Sequence, residues 1–253
     1  MKRLVILILL LLLAGCQMQE IPVVTESPAV ITEAATEIPA EIPTEAPTLP
    51  TEPPAEPLTE PPTEAPTDPP KEEDLVRIRD FIPGIQEDLA YASEANFTGK
   101  KIYDFYNAYL RYGTVQKLSA VCEELESLGL GILIWDGFRP VSAQAALWEI
   151  CPDPSYVSHP VTGTRAHCRG NAVDLTLYDL ATGEPLPMPT AFDDFSTLAD
   201  RDYSDCDPVA AENARLLESV MEKHGFKPYK AEWWHFTDTD SYSVEENFQP
   251  PVG

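Results

Sequence analysis

The sequence predicts an α+β domain, with a small, mainly antiparallel sheet flanked by helices and a disordered stalk ahead of it. Three observations support that class. Proline, threonine and glutamate dominate up to about residue 74, then give way to aromatic and aliphatic residues. Beyond that point helical and strand-like apolar patterns alternate. They show no obvious repeating strand–helix–strand unit, which argues against a parallel α/β sheet. The expected division is 1–15 as signal peptide, 16–74 as linker and 75–253 as one domain, long enough for a core of its own.

The N-terminus reads as a targeting segment. Lys2 and Arg3 precede an apolar run from Leu4 to Leu13, which is too short to span a bilayer comfortably. The run ends in Leu13-Ala14-Gly15-Cys16, which resembles a bacterial lipoprotein signal. By that resemblance cleavage falls before Cys16, and Cys16 takes a lipid that anchors the chain without spanning the membrane. The mature protein is then expected on the extracytoplasmic face of the cell membrane.

In the linker Thr-Glu-x-Pro recurs, as in Thr44-Glu45-Ala46-Pro47 and Thr63-Glu64-Ala65-Pro66. Prolines remove backbone donors, glutamates repel one another, and no aromatic residue is present to seed a core. Such a segment cannot offset its ordering entropy and is expected to stay disordered or extended. Fully extended at about 3.1 Å per residue, it would reach on the order of 180 Å. The formal net charge of −25 speaks against nucleic acid and anionic membrane surfaces as partners.

Within the domain, apolar residues from Val115 to Leu128 recur at helical spacing, with Thr114 as the expected cap and Gly129 as the stop. Gly131 to Trp135 reads as a buried strand. Ser142 is expected to cap a second helix running through Trp148. Prolines and Gly163 mark 151–166 as a loop. Ala172 to Leu177 alternates like a strand that puts Asp174 and Thr176 on one side. Residues 181–206 read as loop, and Asp207-Pro208 opens a third helix that ends near His224-Gly225. The aromatic run from Lys230 to Phe236 suits a strand.

Four cysteines follow Cys16: Cys122, Cys151, Cys168 and Cys206. Outside the cytoplasm they could form disulfides, with three complete pairings open. None lies in a C-x-x-C pair, so a cysteine-rich structural zinc site is not expected. Cys168 reads as packing or disulfide, not as ligand or nucleophile.

The chemistry concentrates in two short runs, Arg165-Ala-His-Cys-Arg-Gly-Asn-Ala-Val-Asp174 and Glu232-Trp-Trp-His235. Together they supply two histidines and two carboxylates. A catalytic zinc site needs about three protein ligands and one open position, and it works with a general base. His167 and Asp174 are too far apart for one helix face. They can converge if His167 lies on a turn that enters the strand of Asp174, with Gly170 permitting the bend. Glu232 is the natural base, taking a proton from the attacking water and passing it to the leaving amine. Residues three apart on a regular strand face opposite sides, so Glu232 and His235 require a bend, a bulge or a strand end.

These runs, with Asp136-Gly-Phe-Arg-Pro140, Thr182-Gly-Glu184, Phe192-Asp193 and Asn96-Phe-Thr-Gly-Lys100, resemble the D-alanyl-D-alanine dipeptidases of the VanX type. The resemblance covers most of 75–240 with the motifs in the same order. It implies one Zn2+ per domain, bound by His167, Asp174 and His235, with Glu232 as catalytic base. It further implies that Arg139 stabilises the tetrahedral intermediate and that Asp193 holds the substrate's free ammonium. A structural ion pair with Asp136 is the plainer reading of Arg139, and a solvated loop acid that of Asp193. One position departs from the pattern. The wider family has serine two residues before the first zinc histidine, and this chain has Arg165 there. That arginine either meets a substrate carboxylate or points outward. His159 and His224 read as ordinary residues.

The implied activity is hydrolysis of D-alanyl-D-alanine to two D-alanines outside the membrane, in turnover or recycling of wall-derived dipeptide. The second hypothesis keeps the chemistry and changes the substrate to peptidoglycan stem peptides, trimmed by a D,D- or L,D-carboxypeptidase. The third is a wall-binding lipoprotein without catalysis, against which the complete set His167, Asp174, Glu232 and His235 argues.

Overall fold

The computed structural model describes residues 68–252. The expected signal peptide at 1–15, the lipidation site Cys16 and most of the 16–74 linker lie outside them.

The expected α+β class is what the domain adopts. Strand β1 (Leu75–Arg77) pairs antiparallel with β3 (Tyr109–Arg111) in a small two-stranded sheet. The principal sheet has five strands in the order β2-β4-β5-β7-β6. These are β2 (Gln86–Glu87), β4 (Leu130–Asp136), β5 (Ala172–Asp179), β6 (Phe226–Tyr229) and β7 (Glu232–Asp238). All its pairings are antiparallel except β2 with β4. Helices α1 (Tyr112–Ser127) and α3 (Pro208–Lys223) pack on the sheet and on each other, and α2 (Val141–Ile150) follows β4. The core between them includes Leu118, Leu125, Leu175, Leu217, Trp233 and Phe236, all buried.

Two expected caps move. Helix α1 begins at Tyr112 with Arg111 as its N-cap, so Thr114 already lies inside the helix. Its hydroxyl instead donates to Asp238 Oδ2 at 2.7 Å, a buried carboxylate at the end of β7 that also pairs with Lys117. Helix α2 begins at Val141, and the carbonyl of Pro140 accepts its first bond from Gln144 N–H, so Ser142 lies in the first turn and caps nothing. Asp207 does cap α3, accepting from the N–H groups of Val209 and Ala210. All four cysteines of the domain carry free thiols, and Cys168 is fully buried as packing.

The sheet's register sets up everything that follows. Asp136 of β4 lies opposite Asp174 of β5, which lies opposite His235 of β7. Three polar side chains therefore form a row across neighbouring strands. The hairpin β6–β7 then becomes irregular. Pro228 pairs with Phe236, but the next residue, Tyr229, pairs with Glu232. One step on β6 thus spans four on β7, and Trp233, Trp234 and His235 form the extra length. Such a bulge frees carbonyls from the ladder. Arg201 satisfies two of them: its Nη2 donates to the carbonyls of Trp233 and His235, each at 3.0 Å. Its Nη1 binds Glu218 Oε2 at 3.0 Å, and its guanidinium lies over the Phe236 ring.

Replacing Arg201 with Met keeps the aliphatic stem and removes these bonds. The Arg201→Met protein is expected to lose about 2 kcal/mol, the size typical of hydrogen bonds to a charged group. Urea unfolding checks it; an unchanged midpoint would mean that the bulge holds itself.

Candidate active site

His167 begins a single 3-10 turn, His167–Arg169, that Gly170 closes in left-handed conformation at φ +73°. A Cβ on Gly170 would sit 2.5 Å from Leu75 Cδ2, so this close bend requires glycine on two counts. The turn feeds straight into β5 and sets the imidazole above Asp174. His167 Nε2 lies 3.3 Å from Asp174 Oδ2 and 3.2 Å from His235 Nδ1. His235 Nδ1 in turn lies 2.8 Å from Asp174 Oδ1. A tetrahedral centre with bonds of about 2.0–2.1 Å sets its ligands roughly 3.3 Å apart. The three groups thus offer one metal-ligating atom each at suitable spacing.

Both imidazoles are aimed by their second nitrogens. His167 Nδ1–H donates to the Gly137 carbonyl at 2.8 Å, and His235 Nε2 lies 3.1 Å from Thr237 Oγ1. With the proton of each ring on that outer nitrogen, the form a metal requires, the lone pairs of His167 Nε2 and His235 Nδ1 face Asp174. Metal-binding histidines are held in this way. Two imidazoles and one carboxylate, with no thiolate among them, form a donor set that suits zinc.

Glu232 stands beside this triad, its Oε2 3.8 Å from His235 Nδ1. The three-residue spacing on a strand is reconciled by the bulge and by Glu232 being the first residue of β7. Burial pushes its carboxyl up to about 7, with Asp174 and Asp193 adding to the rise and His235 opposing it. Asp174 behaves oppositely. Burial would raise it, but the two histidines pull it well below the usual carboxylate range.

Arg139 forms the ion pair with Asp136 and also lines the cleft. Its Nη2 and Nε donate to Asp136 Oδ2 at 2.6 and 3.0 Å, and its Nη1 donates to Gln144 Oε1 at 3.0 Å. Its plane lies over the Tyr91 ring. Tyr91 in turn donates its hydroxyl to Asp193 Oδ2 at 2.8 Å. Burial pushes the Asp193 carboxyl up to about 7 against that hydrogen bond. Phe192 fixes this acid in place by packing between Trp135 and Trp234, at ring-centroid distances of 5.1 and 5.6 Å.

The triad, Glu232, Arg139, Gln144, Tyr91 and Asp193 line one cleft of about 390 Å³, near the small end for ligand pockets. Its other wall is the loop from Pro154 to Ala166. The cleft thus brings together every predicted residue of the domain's site: His167, Asp174, His235, Glu232, Arg139 and Asp193. His159 lines it too, its Nδ1 accepting from the N–H groups of Val161 and Thr162. His224 lies at the end of α3 against Glu124 Oε2, at 2.6 Å. Thr182-Gly-Glu184 is a turn, with Asp179 Oδ1 accepting from Ala181 and Thr182 N–H.

Sequence reasoning missed Gly137, Thr237, Tyr91 and Gln144. Thr237 had a signal, since it lies two residues beyond His235 on the same strand face. Tyr91 had none, because a loop far away in sequence delivers it.

The chain is similar to known proteins over most of the described domain. The M15 peptidase family model, described as D-ala-D-ala dipeptidase, matches residues 71–250. The chain belongs to that family. The D-alanyl-D-alanine dipeptidase of Escherichia coli strain K12 is 36% identical over 163 residues, which is 64% of this chain and 83% of the relative. That of Enterococcus faecium is 31% identical over 192 residues, which is 68% of this chain and 95% of the relative. Among solved structures, an LD-carboxypeptidase, LdcB, aligns with 69% of this chain and 71% of its own at 15% identity, with a TM-score of 0.38. So low a score carries no argument.

Thr237→Val removes the hydroxyl that contacts His235 Nε2 while keeping the side chain's shape. Zinc affinity is expected to fall by about 10- to 100-fold, as measured by competition with a chromophoric chelator. Unchanged affinity would rule out Thr237 as the group that orients His235.

Proposed function

We propose that the domain hydrolyses D-alanyl-D-alanine to two D-alanines, with one zinc ion held by His167, Asp174 and His235. The observation that carries this reading is the convergence of those three side chains with Glu232 in a small cleft, within a chain of the D-ala-D-ala dipeptidase family. Zinc, when bound, supplies Lewis-acid chemistry, polarising a carbonyl and acidifying a water. The protein's own groups do the rest.

Glu232 takes the proton of the attacking water and hands it to the departing amine. Burial beside the triad raises the proton affinity of its carboxyl, which favours taking that proton. Arg139 is locked by Asp136 and Gln144, so its positive charge is already in position when the carbonyl oxygen becomes an oxyanion. Asp193 takes the substrate's free ammonium. An ammonium there favours the ionised carboxylate and relieves the cost of burying it. A cleft with that acid in its wall favours a free dipeptide over the internal bonds of longer chains.

The location belongs to the same reading. Lipid on Cys16 would hold the protein on the extracytoplasmic face, with residues 16–74 as a stalk and 75–253 as the catalytic domain. The support is the sequence itself, Leu13-Ala14-Gly15-Cys16 followed by the proline- and glutamate-rich run. An enzyme there suits recycling of wall-derived dipeptide better than removal of newly made dipeptide in the cytoplasm.

The purified, zinc-loaded protein is expected to release D-alanine from D-alanyl-D-alanine and not from a stem pentapeptide. Comparable release from the pentapeptide would move the assignment to a carboxypeptidase. Glu232→Gln should keep its zinc and lose on the order of 100- to 10,000-fold in kcat; retained turnover would remove Glu232 as base. For the anchor, Cys16→Ala should shift the protein from the membrane fraction to the soluble fraction, and an unchanged distribution would refute lipidation.

A further inference from the structure

Among the described residues, two that are not glycine have left-handed backbone: Arg165 at φ +50° and Asp193 at φ +54°. Aspartate tolerates this region; a long side chain such as arginine rarely adopts it. Strain of this kind persists where surroundings enforce it, and it gathers at ligand clamps. Both residues line the same cleft as Glu232 and the triad, and their charges are opposite.

The two arginines of that cleft differ in how they are engaged. Arg139 has its Nε, Nη1 and Nη2 donating to Asp136 and Gln144. Arg165 is held loosely. Its Nη1 lies 3.6 Å from Glu246 Oε1, beyond hydrogen-bond length, and the Glu246 side chain is 57% exposed. Its Nε is buried with no partner among the described residues. An exposed, stretched ion pair is weak, and a buried donor without an acceptor is costly. The backbone is better fixed than the guanidinium: Arg165 N–H donates to Ser158 Oγ at 3.3 Å, within the loop that forms one wall of the cleft.

We propose that Arg165 receives the free α-carboxylate of the substrate, while Asp193 receives its ammonium, so that the cleft clamps a zwitterion by both ends. This rests on the reading above that a free dipeptide is the substrate. A guanidinium fork matches a carboxylate with two parallel N–H···O bonds, and the long contact to Glu246 leaves the end of the side chain able to turn to it. Glu246 gives way because its contact is long and hydrated. Arg165 is thus a specificity-determining residue for molecules that are both short and free at the C-terminus.

The test compares D-alanyl-D-alanine with its C-terminal amide, which keeps the ammonium and loses the carboxylate. The wild-type protein should show a KM for the amide higher by on the order of 10- to 100-fold, the worth of a charged hydrogen-bonded pair. Arg165→Ser should raise the KM for the dipeptide by a similar factor, with kcat little changed and the amide's KM unmoved. The preference for acid over amide then collapses, and Arg165→Lys restores part of it. Zinc content and circular dichroism confirm that each variant is folded; if Arg165→Ser is not, Arg165→Gln takes its place. A preserved acid-over-amide preference without the arginine overturns the clamp, as does an equal loss on both substrates. Wild-type protein that turns over neither compound refutes the dipeptide reading itself, and the clamp with it.

Discussion

The site depends on the pairing of β5 with its two neighbours. Asp136, Asp174 and His235 occupy matching positions on β4, β5 and β7, so the sheet's own hydrogen bonds fix their separations. Side chains alternate along a strand, and a one-residue slip would send Asp174 to the opposite face. Buried Val173 and Leu175 on either side of it oppose such a slip, since it would put Asp174 and Thr176 in their places in the apolar core. His167 joins from the turn that begins β5, and Gly170 allows that turn to close against Leu75 and Arg111. Precision at the site is therefore inherited from the core.

Charge is the second organising constraint. Four carboxylates, Asp136, Asp174, Asp193 and Glu232, lie in or against one buried region. Four like charges there would be expensive without partners. Two have partners within the protein: Asp136 pairs with Arg139, and Asp174 lies against His167 and His235. The remaining two, Asp193 and Glu232, are pushed up to about 7. This division fits their proposed roles. The paired acids hold geometry, and the unpaired acids are left to meet a proton or an ammonium. Aromatic packing holds the residue before Asp193, with Phe192 wedged against Trp135 and Trp234.

How far the site could be read from the sequence follows from what is local. His167, Gly170 and Asp174 lie within eight residues, and Glu232 and His235 within four, so composition and spacing were enough to group them. The bulge that brings Glu232 beside His235 was legible only as a need, because it arises from how β7 pairs with β6. Arg201, which holds the bulge from a loop, was silent for the same reason. Helix α3 was legible because Asp207-Pro208 is a local signal. The expected cap of α1 failed because distant, buried Asp238 claims the Thr114 hydroxyl, and that of α2 because the helix already starts at Val141, with Pro140 as its N-cap. Strands β1, β2, β3 and β6 span only two to four residues each, too short for a period to register.

The central claim is that two imidazoles and one carboxylate from three separate places in the chain form a single zinc centre. X-ray absorption spectroscopy of the zinc-loaded protein tests it most directly. The account predicts a first shell of nitrogen and oxygen only, with outer-shell scattering from two imidazole rings, and loss of one ring's contribution in His235→Ala. A sulfur scatterer, which would bring Cys168 into the coordination sphere, would contradict it, as would the same spectrum with and without His235.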